Sequence, residues 1–274
     1  MNTVRVMSKN AAYQKFEVLR TNRNKRYRYG EFLVEGVRNI NQAIRNGWQF
    51  TSLLYSPETP LSRWAQEVLD TVSCDTHYQL SSNLMQALSG KTDTSELLAI
   101  LRMRPDDPAL LHDSPCPLYI LFDRPSNHGN LGSIIRSADA LGADGLILTG
   151  HGVDLYQPEV ITASMGSFFN LPAIRMADND TVFDWIARQR DLHPGFQVIG
   201  TTAHKQLNIT QVDFRLPTLL MIGNETEGLC RAFKEGCDLL ATIPMADTSS
   251  ASSFNVACAA TVMMYEVCRQ RAQE

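Results

Sequence analysis

No stretch of this sequence approaches the roughly 18 consecutive apolar residues that a membrane-spanning helix needs. Its opening decapeptide, MNTVRVMSKN, is polar and lacks the pattern of a secretory signal. These absences set the expectation of a soluble, cytoplasmic protein with no membrane partner. The six cysteines form no C-x-x-C pair, and Cys258 falls inside an apolar helical pattern. Reduced, indifferent thiols are therefore expected rather than a disulfide framework. The six histidines lack ligand spacing, and no structural metal is expected. No G-x-x-x-x-G-K-S/T loop and no G-x-G-x-x-G turn follows any candidate strand, which removes the usual phosphate cradles of nucleotide hydrolases and dinucleotide oxidoreductases. No internal repeat or low-complexity tract is visible.

What is present is ordinary globular composition with an uneven charge. Hydrophobic residues make up 44% and charged residues 20%, enough for a sizeable core in one large domain or two ordinary ones. The net charge is -4, yet residues 1–45 carry ten Lys or Arg against three acids, a local +7 that leaves -11 for the remainder. Within it, RTNRNKRYRYG interleaves Tyr27 and Tyr29 with Arg23, Lys25, Arg26 and Arg28. Cations neutralise phosphates and rings stack on unpaired bases, so these four cations are the candidate nucleic-acid-binding residues. A solvated basic helix is the alternative.

Two regions separate where RPDDPALLHDSPCP places four prolines and three acids in residues 104–117. Proline removes backbone donors and disfavours helix before it, so the boundaries read as a domain over 1–105, a linker over 106–116 and a second domain over 117–274. The first region alternates helical spacing (AAYQKFEVLR, NINQAIRNG, SRWAQEVLDTV) with strand-like runs (EFLVEG, FTSLLYS, SELLAILRM), as in a small α/β domain. The second alternates short apolar runs with helices from PLYILFD onward, the pattern of a parallel sheet covered on both faces. Ligands of such sheets sit beyond the carboxyl ends of the strands. Those ends are DRPSNHGN, TGHG, GTTAHK, GNETEG and PMADTSSASSFN, all rich in Gly, Asn, Ser or Thr, and they converge on one polar site.

Three stretches carry the chemistry. In NHGNLGSIIRSADALG, Asn130 can cap a helix whose apolar face is Ile134, Ile135, Ala138 and Leu141. Arg136 leaves that face one turn after Gly132, whose missing side chain leaves open space, and Asp139 can hold its guanidinium. A surface ion pair is the alternative. In LLMIGNETEGL, a strand ends at Gly223, Asn224 and Glu225, and a helix is expected from near Glu227. Glycine there permits close backbone approach to a ligand; a capped strand-to-helix turn is the alternative. In IPMADTSSASSFNVACAATVMMYE, apolar Ile243, Pro244 and Met245 precede a serine-rich run that reaches Ser253 and Asn255 at the first turn of the last helix. An N-cap needs one such residue, so the excess suggests a loop shaped around a ligand.

Together these stretches resemble the three signature motifs of the SpoU/TrmH family of RNA ribose 2′-O-methyltransferases, within the SPOUT class. N-x-G-x-x-x-R matches Asn130, Gly132 and Arg136, and G-N-E-x-x-G matches Gly223, Asn224, Glu225 and Gly228. I-P-M followed by S-L-N-V-S matches Ile243, Pro244, Met245 and residues 253–257, with Phe254 in place of Leu and Ala257 in place of the second Ser. The motifs occur in family order, and the resemblance runs from about residue 117 to the end. EFLVEGVRNINQAI is more loosely similar to the small substrate-binding domain of many members.

The resemblance implies an α/β protein with a SPOUT-type parallel sheet and a C-terminal trefoil knot, preceded by a small α/β RNA-binding domain. It implies S-adenosyl-L-methionine as cofactor, held by Thr201, Thr202, Ala203, Gly223, Asn224, Gly228, Ile243, Met245, Ser253 and Phe254. Arg136, Asn130, Glu225, Ser253 and Asn255 form the implied catalytic set. A guanidinium stays protonated in proteins, so Arg136 reads as a cation that binds RNA phosphate and eases 2′-alkoxide formation, not as a base. Family members are homodimers with residues of both subunits at each site, and Val256, Ala260, Met263 and Val267 would pack within and between subunits. The implied substrate is rRNA or tRNA, and the two-domain layout favours rRNA. The alternative is a non-catalytic RNA-binding protein that retains the SPOUT fold; its mark would be loss of Arg136 or Asn255, and both are present.

Overall fold

Alternating apolar runs and amphipathic segments become alternating strands and helices. The computed structural model describes residues 2–204 and 206–272. The first part of the chain forms β1 (Asn2–Val6), α1 (Ala11–Thr21), α2 (Arg23–Tyr29), β2 (Glu31–Glu35), α3 (Val37–Arg45), β3 (Phe50–Tyr55), α4 (Arg63–Thr71), β4 (Thr76–Leu80), α5 (Ser82–Leu88) and β5 (Leu97–Arg102). There follow β6 (Leu118–Asp123), α6 (His128–Ala140), β7 (Gly145–Thr149), α7 (Pro158–Ala163), β8 (Ala173–Met176), α8 (Asn179–Leu192), β9 (Gln197–Thr201), β10 (Leu207–Asn208), β11 (Thr218–Ile222), α9 (Arg231–Gly236), β12 (Leu239–Thr242) and α10 (Val256–Arg271).

Packing divides the chain into two compact units, and the first comprises the residues up to Arg104 together with Asp154–Asn170. Its sheet runs β1-β4-β3-β5-β2, with β5 antiparallel to β2 and β3 and the other pairs parallel. Asn10 caps α1 by accepting from the Tyr13 N–H at 3.1 Å, and the helix buries Tyr13, Phe16 and Leu19 in a cluster with Val6, Leu33, Leu80 and Leu98. The sequence-based boundaries put residues 154–170 in the second domain, but the structure packs them here. Trp48 Nε1 donates to the Phe169 carbonyl at 2.9 Å, and Phe168 meets the rings of Phe32, Trp48 and Tyr156. These aromatic contacts, and an ion pair described below, hold the segment to the first unit.

The second unit comprises Pro105–Val153 and the residues from Leu171 onward. Its seven strands run β10-β12-β9-β11-β6-β7-β8, and every pair is parallel. Strands β6, β7 and β11 are buried along their whole length. A strand covered on both faces loses its polar alternation, which is why these read as unbroken apolar runs. Tyr119, Trp185, Phe196 and Phe233 belong to its core. Helices α6 and α10 pack together, and the hydroxyls of Ser137 and Thr261 lie 2.7 Å apart between them. Residues 106–116, expected as a linker, are part of this unit. Leu111 enters the core, the His112 N–H donates to the Asp144 carbonyl at 3.0 Å, and the Tyr119 hydroxyl donates to the His112 carbonyl at 2.8 Å. The prolines shape a short 3-10 turn, Pro108–Leu110, instead of a free tether. Because all strands are parallel, their carboxyl ends open along one edge, and the site lies there.

Candidate active site

Chain leaving β9, β11 and β12 surrounds a cavity of about 320 Å³ in the second unit. Thr201, Thr202 and Ala203 reach it from the end of β9, and Gly223, Asn224, Glu225 and Gly228 from the loop after β11. Ile243 and Met245 follow β12, and Ser253 and Phe254 precede α10. Every residue expected from the sequence to hold a cofactor thus lines one cavity. Leu229, His204 and Lys234 line it too and were not singled out by the sequence, and Met263, expected to pack within and between subunits, also lines it. Lys205, in the same expected loop, lies outside the described residues.

The loop after β11 is shaped by its own backbone. A Cβ on Gly223 would lie 2.2 Å from the Leu229 nitrogen and 2.3 Å from the Gly228 carbonyl carbon. Asn224 and Gly228 form an antiparallel bridge with N–H···O distances of 3.1 and 3.0 Å, and Gly228, at φ +69°, closes the turn. Asn224 Oδ1 accepts from the N–H groups of Thr226 and Glu227 at 2.9 and 3.1 Å. The missing side chain of Gly223 thus lets its own chain approach closely, and Gly223 lines the cavity as well. The helix expected from near Glu227 begins only at Arg231.

Glu225 joins the three motif stretches. Its Oε2 accepts from the Ser126 N–H at 2.9 Å and the Ser126 hydroxyl at 2.6 Å, and its Oε1 from the Asn127 N–H at 3.0 Å and Asn130 Nδ2 at 3.3 Å. Asn130 Oδ1 accepts from Asn255 Nδ2 at 3.2 Å. Asn255 Oδ1 in turn caps α10, accepting from the N–H groups of Ala257 and Cys258. Burial pushes the Glu225 carboxyl up, but donors from Ser126, the local backbone and Asn130 outweigh it and hold the group below the usual glutamate value. It is a carboxylate at neutral pH. The expected cap of α6 moves by three residues: Asn127 accepts from the Asn130 N–H at 2.9 Å, which leaves the Asn130 side chain to the relay.

Two residues at the end of β6 support this loop and carried no motif signal. Asp123, 2% exposed, accepts from the Cys230 N–H at 2.8 Å and the Thr149 hydroxyl at 3.0 Å. Arg124 has a positive φ of 50° and contacts Asp123, Glu227 and the Gly228 carbonyl.

Arg136 stands apart from the cavity. It is exposed on α6 and does not line the pocket. Gly132 is buried, so the space one turn before Arg136 is covered, not open. Ser253 is exposed at the cavity lip, two residues before the cap of α10.

The basic segment of the first unit divides in two. Arg26 is 1% exposed. Its Nε and Nη2 meet Asp154 Oδ2 at 2.7 and 2.6 Å, and its Nη1 donates to the carbonyls of Leu19 and Arg20. A guanidinium so enclosed does not face RNA, and Arg26 leaves the candidate set for a structural reason. Arg28 is exposed and Lys25 partly so. The Arg23 guanidinium lies 5.7 Å from the Tyr27 ring centroid, and Lys15 Nζ lies 5.3 Å from that of Tyr29.

The model of the SpoU rRNA Methylase family matches residues 117–265, more than half of the chain, and that of the SpoU L30e-like domain matches residues 10–99. The chain belongs to the SpoU rRNA methylase family. One SpoU relative, a 23S rRNA (uridine(2479)-2′-O)-methyltransferase of Streptomyces viridochromogenes, is 45% identical over 97% of this chain and 92% of its own. The 23S rRNA (guanosine(2553)-2′-O)-methyltransferase RlmP of Bacillus subtilis is 26% identical over 95% of this chain and 97% of its own. A crystal structure of the SpoU methyltransferase AviRb from Streptomyces viridochromogenes, in complex with the cofactor AdoMet, superposes with a TM-score of 0.91 at 45% identity, covering 96% of this chain and 98% of that one.

Proposed function

We propose that this SpoU-family chain transfers a methyl group from S-adenosyl-L-methionine to a ribose 2′-hydroxyl of ribosomal RNA. The observation that carries the reading is the relay through Glu225, Asn130 and Asn255, which ties all three motif stretches to the wall of one cavity. The full-length similarity to named rRNA 2′-O-methyltransferases supports it.

The lining fits the cofactor. At about 320 Å³ the cavity is in the range of small-molecule sites. Leu229, Ile243, Met245 and Met263 offer apolar surface to a purine, while Thr201, Thr202, Ser253 and nearby backbone offer hydrogen bonds to ribose and an amino-acid tail. When bound, the cofactor supplies an electrophilic sulfonium methyl. Ionised Glu225 fixes the orientation of the Asn130 amide, and Asn130 fixes that of Asn255. Arg136 is exposed and not committed to the core. We assign it to the RNA phosphate and to the developing 2′-alkoxide, where a fixed cation lowers the cost of losing the hydroxyl proton.

The finer reading is a cytoplasmic homodimer whose 243–255 segment is threaded as a trefoil knot. Helix α10 buries Ala260, Met263, Met264 and Val267 on one side and leaves Cys258, Val262 and Tyr265 exposed at i, i+4 and i+7 on another. Val262 is 41% and Tyr265 58% exposed, an apolar stripe suited to a second copy. Exposed Arg28 and partly exposed Lys25, with the nearby tyrosines, form the RNA-facing part of the first unit.

The test is methyl transfer from labelled S-adenosyl-L-methionine to ribosomal RNA from cells lacking the gene, with the product mapped by 2′-O-methyl-sensitive sequencing. One new 2′-O-methyl nucleotide in 23S RNA is expected. No transfer to ribosomal or transfer RNA, by protein that binds the cofactor, would refute the enzyme reading.

A further inference from the structure

Arg124 is held in a backbone conformation that few residues other than glycine adopt. Its φ of 50° is unfavourable for a side chain with a Cβ and persists only where the surroundings enforce it. The enforcement is visible. Nε lies 3.2 Å from both Asp123 carboxylate oxygens and Nη2 3.1 Å from Oδ2. Nη1 donates to the Glu227 carboxylate, and Nη2 also donates to the Gly228 carbonyl at 3.0 Å. The Arg124 carbonyl accepts from Asn224 Nδ2 at 2.7 Å. The aliphatic stem packs on Gly150, where a Cβ would lie 2.5 Å from Arg124 Cγ.

One residue is thus bonded to positions 224, 227 and 228, and its neighbour Asp123 takes the N–H of Cys230. These are the two ends and the middle of the loop that presents Glu225, Gly228 and Leu229 to the cavity. Arg124 itself does not line the cavity. Its influence must pass through the loop. A loop fixed before binding does not have to be ordered at the expense of affinity.

We propose that Arg124 is a positioning residue: with Asp123 and Glu227 it clasps the 224–230 loop in its cofactor-binding shape before the cofactor arrives. The proposal rests on the reading of the cavity as the S-adenosyl-L-methionine site. The planar guanidinium serves two carboxylates and a carbonyl in divergent directions, which a lysine ammonium on a flexible stem does not reproduce.

The experiment compares R124G, R124K and E227Q in the full chain. Glycine adopts the left-handed backbone without strain, so R124G removes the side chain while leaving the turn intact. Calorimetry should show the Kd for S-adenosyl-L-methionine rising about tenfold in R124G, with little recovery in R124K and a smaller rise in E227Q. R124G should cost less in the E227Q background than in wild type, because the two groups act as a unit. The cofactor KM should rise in parallel, while kcat at saturating cofactor and the RNA KM stay within about threefold. In cofactor-free protein, amide exchange at 224–230 should accelerate in R124G. Unchanged affinity and exchange in R124G overturn the clasp, and so does full rescue by R124K. An equal loss of kcat, RNA affinity and melting temperature assigns Arg124 to general stability and also overturns it. Wild-type protein that does not bind the cofactor refutes the cofactor reading, while the exchange measurement still judges the clasp.

Discussion

Arg136 and Glu225 are assigned different work, and the two assignments are tested separately. Arg136 is exposed and outside the cavity, so Arg136→Ala should leave the melting temperature and cofactor affinity almost unchanged. Methyl transfer in a single-turnover assay with saturating cofactor should fall by orders of magnitude, about 100-fold or more, because the lost interaction acts mainly in the transition state. Near wild-type turnover would return Arg136 to the solvated surface. Glu225 titrates below the usual glutamate value of 4.5, so its contribution to loop order is fully present above that value and is lost as pH falls through the lower, folded-state one. Cofactor affinity followed by calorimetry should therefore be insensitive to this group from about pH 8 to pH 5 and decline only in more acidic buffer. A decline centred near neutrality would point to another group. The thiols divide in the same way. Burial pushes Cys237 up to about 12, so iodoacetamide at mild alkaline pH should leave it unmodified while exposed Cys258 reacts. Modification of Cys237 at a comparable rate, read by peptide mass spectrometry, would contradict its packing.

Helix α2 shows how far an element can be read before it is seen. Its four cations look alike in sequence, but the seven-residue helix turns Arg26 inward to Asp154 and leaves Arg28 outside. Arg26→Ala strands a buried carboxylate and should destabilise the fold by about 3–5 kcal/mol in denaturant titration. Replacing Lys25 and Arg28 with Ala should leave stability near wild type and weaken RNA binding. The salt slope should fall by roughly 0.7 for each single-strand phosphate no longer neutralised. Equal stability loss in both variants would erase the distinction. No local pattern could separate Arg26, because its partner lies 128 residues away. Strand β1 was hidden for another reason: as an edge strand it fully buries only Val6, so it has no apolar run to read. Strands β6, β7 and β11 were legible because burial on both faces writes itself into every residue. In the candidate site, the motif residues of the second and third stretches pointed to loops that line one cavity. Asp123 and Arg124 did not, since their significance is the fold bringing the end of β6 against the loop after β11.

At the scale of the whole molecule, the exposed stripe on α10 predicts association. Val262→Asp combined with Tyr265→Asp should convert a dimer into a monomer in sedimentation equilibrium, and alkylation of Cys258 should slow as wild-type concentration rises. A wild-type monomer at micromolar concentration would refute the dimer. The return of residues 154–170 to the first unit has a consequence in time. A polypeptide leaves the ribosome from its N-terminus, at about 5–20 residues per second. When Arg104 has emerged, the first sheet is complete in strands, but Arg26 has no carboxylate to meet and Trp48 no Phe169 carbonyl. Strands β6 and β7 of the second unit are synthesised during that wait. The N-terminal unit thus finishes only after its neighbour has begun, and the nascent chain passes through a stage with a half-closed aromatic core. Chains arrested just after residue 105 should be cut by protease within that unit, and chains arrested after residue 170 has cleared the tunnel should resist.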